Sequence, residues 1–130
     1  MAKRILSVSY DESLLATRQM LLETQGYNVT SALGFTQAIR HCKTAGYDLF
    51  ILGHSIPATD KQELISTFHN NCPAPVLSLG RIGEELVPSD FHLFPDKPEQ
   101  LIQTVAKILD RQFDPSQFMT DRGESRSKPS

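Results

Sequence analysis

Short apolar runs alternate with stretches of helical periodicity along most of this chain, and few architectures accept that order. "RILSVS" (Arg4–Ser9), "YNVTSA" (Tyr27–Ala32), "DLFIL" (Asp48–Leu52), "PVLSL" (Pro75–Leu79) and "FHLFP" (Phe91–Pro95) read as strands, being short and rich in β-branched, aromatic or leucine residues. Leu14, Arg18, Leu21 and Leu22, flanked by Leu15 and Met20, trace a first helix. Asp11 suits its N-cap and Gly26 its stop. Phe35, Ala38, Ile39 and Cys42 trace a second helix, ended by Gly46. Leu64, Ile65 and Phe68 mark a third. Leu101, Ile102, Val105, Ile108 and Leu109 line a last one that ends near Gln112. Strands alternating with helices imply right-handed crossovers and a parallel sheet covered on both faces. The expectation is one α/β domain over residues 1–112 with a doubly wound, five-stranded parallel sheet. From Asp114 the text "DPSQFMTDRGESRSKPS" has no period and little to bury, so residues 113–130 are expected to form a disordered tail.

Composition narrows the function classes. A chain of 130 residues suits one compact domain. A net charge of −2 and a pI of about 6.0 give no electrostatic case for nucleic acid or an anionic membrane. The central apolar run Leu49–Leu52 is far too short to span a bilayer. The start, "MAKRILSVSYDE", makes a poor signal peptide. Cys42 and Cys72 have no framework spacing and read as reduced thiols of a cytoplasmic protein. His69 and Cys72 supply two of the four ligands that zinc requires, and nothing else in the sequence matches them. "GRIG" (Gly80–Gly83) lacks both the dinucleotide-loop spacing and a Gly-Lys-Ser/Thr signature. Ser9, His54 and Asp11 could be imagined as a hydrolytic triad, but no G-x-S-x-G elbow supports one. No cofactor, no metal and no enzymatic activity are therefore expected.

The order and punctuation of these elements resemble the receiver (response-regulator) domain of bacterial two-component systems. The likeness runs from about Lys3 to Gln112. "RILSVS" is similar to the family's first strand, and "GYDLFIL" to the run into its third. Ile56-Pro57 resembles the Met-Pro after the acceptor loop, "PVLSL" the fourth strand, and "LFPDKPEQLI" the fifth strand turning into the last helix. The resemblance implies a flavodoxin-like fold and a role in phosphorelay signalling, with a kinase, effector or other regulator as protein partner. It also implies a chemistry: an aspartate attacks a donor phosphorus, carboxylates hold Mg²⁺ beside it, and a lysine and a hydroxyl complete the shell. All of these groups project from the C-terminal ends of the parallel strands.

The chain departs from that pattern at each such position. Ser9 and Tyr10 stand for the paired acids, Gly53 for the acceptor, Gly80 for the Ser/Thr and Phe94 for the lysine. Pro95 remains, and in the family the peptide before it is usually cis. The segment from Gly80 to Phe94 is shorter than the family's, so the family's fourth helix is expected to shrink to a turn around Glu84–Val87. The expectation is a degenerate pseudo-receiver, a protein-interaction module that works without aspartyl phosphorylation.

Two rivals are weighed beside it. His54, next to the empty acceptor position, could be an unusual phosphoacceptor or metal ligand, against the plainer reading of a polar residue at a strand end. Asp60 could substitute as acceptor, against the plainer reading of a cap for the third helix. Asp11 and Glu12 could be the acid pair displaced in register, although Asp11 more simply caps the first helix. The second rival is a small α/β enzyme or nucleotide-binding protein using the strand-end crevice. Whether the chain forms a homodimer is open at this stage.

Overall fold

In the computed structural model, which describes residues 2–44, 46–81, 87–95 and 97–110, five parallel strands pair in the order β2-β1-β3-β4-β5. They are β1 (Arg4–Ser9), β2 (Asn28–Leu33), β3 (Leu49–Leu52), β4 (Val76–Leu79) and β5 (Phe91–Leu93), interleaved with α1 (Glu12–Glu23), α2 (Phe35–Cys42) and α3 (Ala58–Asn71), and followed by α4 (Pro98–Asp110). β1 runs in register with β2 from Arg4 opposite Asn28 to Ser9 opposite Leu33, and with β3 from Ile5 opposite Leu49 to Val8 opposite Leu52. The sheet is doubly wound, as expected.

Strand alternation sorts the apolar residues into two cores. Leu6, Val8, Phe50, Leu52 and Val76 pack with Ala38, Leu64 and Phe68 under α2 and α3. Ile5, Leu49, Ile51, Leu77 and Leu79 pack with Leu22, Leu101, Val105 and Ile108 under α1 and α4. A strand buried on both faces cannot alternate polar and apolar residues, which is why "LFIL" is apolar throughout. Phe50 stacks on Phe68 with ring centroids 4.4 Å apart. Among the described residues no helix is long and apolar enough to cross a membrane.

Several boundaries and faces differ from expectation. Asp48 lies outside β3: its carboxylate accepts from the Arg4 amide at 2.8 Å, tying down the strand's entry instead of extending it. On α1 the buried face is Leu15, Arg18 and Leu22, with Leu14 38% and Met20 68% exposed. α3 starts directly after Pro57, so Asp60 lies in its first turn and does not cap it. No peptide bond among the described residues is cis, so the bond before Pro95 is trans. Trans is the intrinsically favoured state of an X-Pro bond, and cis persists only where its surroundings select it. The expected turn around Glu84–Val87 falls largely outside the described residues, as does the expected tail at 113–130.

Candidate functional site

The C-terminal ends of β1, β3 and β4 meet at one edge of the sheet, and the sequence places Ser9, Gly53 and Gly80 there. The Gly53 amide donates to Val8 O at 3.0 Å, so the backbone continues the β1–β3 pairing one step past β3. Ser9 is fully buried. Its Oγ accepts from the Asp11 amide at 3.0 Å and lies 3.2 Å from Ser55 Oγ. Ser55 Oγ in turn accepts from the Tyr10 amide at 3.0 Å. The Tyr10 hydroxyl reaches across the edge and donates to Asp60 Oδ2 at 2.8 Å. Partial burial, and then the hydrogen bond and negative charge of Asp60, push the Tyr10 phenol well above its ordinary ionisation range. Ser9, Tyr10 and Ser55 thus latch the β1–α1 loop to the β3–α3 loop and the first turn of α3.

The largest departure comes from α1. Arg18, only 6% exposed, runs under the sheet edge and donates through Nη1 to Ser7 Oγ at 2.9 Å and to Val8 O at 3.1 Å. A Cβ added at Gly53 would lie 2.8 Å from Arg18 Nη2, 3.3 Å from Val8 O and 3.6 Å from Ser9 Oγ. The guanidinium thus fills the space that a side chain at position 53 would take. Burial pushes its pKa down to about 10, which leaves it charged at neutral pH. A second buried cation approaches from α3, where Lys61 Nζ donates to Leu79 O at 2.7 Å, at the end of β4.

The remaining expected positions scatter. The Gly80 amide donates to Leu93 O at 3.0 Å, and Phe94 lies beyond β5, 38% exposed. His54 sits at the mouth of the edge, between a crevice of about 250 Å³ shared with Arg18, Pro95 and Lys97 and another of about 260 Å³ shared with Ser55 and Lys61. Asp11 spends its carboxylate on capping α1, accepting from the Leu14 amide at 3.1 Å, and both Asp11 and Glu12 are exposed. His69 and Cys72 point apart: His69 pairs with Asp90 at 2.7 Å, while the buried Cys72 thiol approaches Tyr47 O. Sequence reasoning missed Arg18 and Lys61. The available signal was a cation inside an apolar stripe, Arg18 among Leu15 and Leu22, and Lys61 ahead of Leu64 and Ile65.

A hard divalent cation requires several oxygen donors, carboxylates foremost. Here the groups around Gly53 are the Ser9 hydroxyl, backbone carbonyl and a buried guanidinium, and Asp60 is already bonded to Tyr10. Among the described residues no group of three or more His, Cys, Asp or Glu could hold a metal ion. A neighbouring positive charge repels a cation, so these residues do not fit the magnesium site of the family.

No family model matches the sequence. The chain is 29% identical over 120 residues to the alkaline phosphatase synthesis transcriptional regulatory protein PhoP of Bacillus subtilis, a match covering 85% of this chain and 50% of that protein. It therefore spans about half the length of this curated relative. The receiver domain (CheY-like) of Methanospirillum hungatei superposes with a TM-score of 0.75 at 22% identity, over 86% of this chain and 97% of the other. The crystal structure of histidine kinase ThkA in complex with response regulator protein TrrA contains a chain matching at a TM-score of 0.70 and 21% identity, over 82% of this chain and 98% of the other. The fold is that of CheY-like, flavodoxin-like receiver domains.

Proposed function

We propose that the chain is a receiver-like module of two-component signal transduction that acts through protein contacts and without aspartyl phosphorylation. The receiver fold and the likeness to a transcriptional response regulator support the signalling half of this reading. One observation supports the other half: glycine replaces the acceptor at position 53, and the Arg18 guanidinium occupies the vacated volume. A phosphoacceptor needs a carboxylate nucleophile beside a metal. The site offers neither, because the acid-pair positions hold Ser9 and Tyr10 and the positions of the hydroxyl and the lysine hold Gly80 and Phe94. The partner in this reading is a kinase, an effector or another regulator, and a structural neighbour solved with a histidine kinase makes the kinase class the first to try.

The decisive measurement is intact-mass spectrometry of the wild-type protein after acetyl phosphate and Mg²⁺. The mass is expected to stay unchanged, and partner binding to be equal with and without the donor. A gain of one phosphate would overturn the reading. Peptide mapping would then tell whether His54 or Asp60 carries the group. Saturable thermal stabilisation by a nucleotide would instead favour a nucleotide-binding protein that uses the strand-end crevice.

A further inference from the structure

A guanidinium offers five N–H donors in a fixed fork. Arg18 commits Nη1, to Ser7 Oγ and Val8 O, and no described residue accepts from its Nη2 or Nε or pairs with its charge. A buried cation without a counter-charge is costly, so sites of this kind are normally completed by an anion. Nη2 lies over Gly53, where there is no side chain to meet it. Arg18 also lines the crevice of about 250 Å³ that opens between α1 and the start of α4, whose walls are largely leucine and proline with Thr17, His54 and Lys97 as the other polar side chains. Lys97 sits immediately before Pro98, the first residue of α4, and both line the same opening, which therefore lies at the positive end of a 13-residue helix dipole.

From this arrangement we infer that the crevice reversibly binds a phosphate-class oxyanion, with Arg18 as the buried anchor and Lys97 as the outer cation. Two cationic side chains and a helix N-terminus match a dianion better than a monocarboxylate. No bond forms or breaks, so the site differs from a covalent acyl phosphate and does not depend on whether the chain signals. Two sources share this chemistry, inorganic phosphate and the phosphoryl group of an organic monoester.

Amide and Arg Nε resonances of the full chain should be followed at constant ionic strength while inorganic phosphate, phenyl phosphate or acetate replaces chloride. Phosphate is expected to produce saturable shifts at Ser9, Thr17, Arg18, Gly53 and Lys97, and acetate much weaker ones. Losing a charge-assisted hydrogen bond typically weakens binding about tenfold or more, the effect expected for Arg18→Met. Lys97→Gln, at an exposed position, should weaken it severalfold and keeps the test alive if Arg18→Met fails to fold. Tighter binding of phenyl phosphate would identify an organic monoester, and equal binding a bare phosphate site. Shifts no larger than those of acetate, or shifts unchanged in both variants, would overturn the inference. Intact mass measured on the same samples separates reversible binding from phosphorylation, so this inference and the proposed function fail independently.

Discussion

At position 53 a side chain and a guanidinium compete for one volume. A Cβ there would come 2.8 Å from Arg18 Nη2, so any residue but glycine must displace a buried arginine tip already bonded to Ser7 and Val8. This gives a reason for the glycine that the missing chemistry alone does not supply. It also sharpens a prediction for Gly53→Asp. The new carboxylate meets Arg18 before it meets any metal, and pairing with a guanidinium blunts its nucleophilicity. Loss of a single preorganised charge-stabilising donor costs about 10²–10³-fold in rate, and here the metal carboxylates are missing too. The variant should show no added phosphate by intact mass after acetyl phosphate and Mg²⁺. A gain on this variant alone would mean that Asp11 or Glu12 reaches a metal. Tyr10 permits a second test. Its phenol is raised in the fold by burial first and by Asp60 second, so above the ordinary tyrosine value of 10.0 the unfolded chain loses that proton before the folded one does. The contribution of Tyr10 to stability is therefore intact below that pH and declines as pH climbs through the alkaline range. In a tyrosinate absorbance titration, Tyr10→Phe should remove the late-ionising phenol. Asp60→Asn should move that step earlier without returning it to the ordinary value, because burial remains.

Among the elements, α1 shows what the sequence made legible and what it did not. Its N-terminus was readable because capping is local: Asp11 accepts from the Leu14 amide three residues on. Asp11→Ala should lower unfolding free energy by about 1 kcal/mol, seen as a lower denaturant midpoint at unchanged slope. The buried face of α1 was harder to read. Leu14, Leu15, Leu21 and Leu22 offer two overlapping stripes that share Arg18, and the fold buries the one with Leu15 and Leu22, where Arg18 bonds Ser7 Oγ and Val8 O on β1. The same distinction runs through the site. The placement of Ser9, Tyr10 and Gly53 at the sheet edge was readable because strand order and spacing fix their positions along the chain. What surrounds them was not, because Arg18 over Gly53, Tyr10 on Asp60 and Lys61 on Leu79 are long-range contacts set by packing. Asp60 was expected to cap α3 on residue type alone, and α3 begins three residues earlier than that role requires, with Pro57 at the cap position. The trans bond before Pro95 belongs here as well, since isomer choice depends on tertiary surroundings and not on the X-Pro text.

At the scale of the whole molecule, the sheet separates two apolar clusters, and each is closed by helices from within Arg4–Asp110. α2 and α3 cover one face, and α1 and α4 the other; Leu101, Val105, Ile108 and Leu109 complete the second cluster from the last helix. A chain ending at Gln112 retains all of these residues. Truncation after Gln112 should therefore leave a single cooperative transition with the melting temperature moved by no more than a few degrees, since a domain of this size shifts by roughly 4–8 °C per kcal/mol. A contrasting variant calibrates the measurement. Phe68 is fully buried at the centre of the first cluster and stacked on Phe50 at 4.4 Å, so Phe68→Ala removes both the burial and the ring contact. Such a substitution costs about 3–5 kcal/mol and should depress the melting temperature several times more than the truncation does. Should the truncated chain melt as low as Phe68→Ala, or lose its cooperative transition, residues after Gln112 would have to pack on the domain, and the boundary placed there would be wrong.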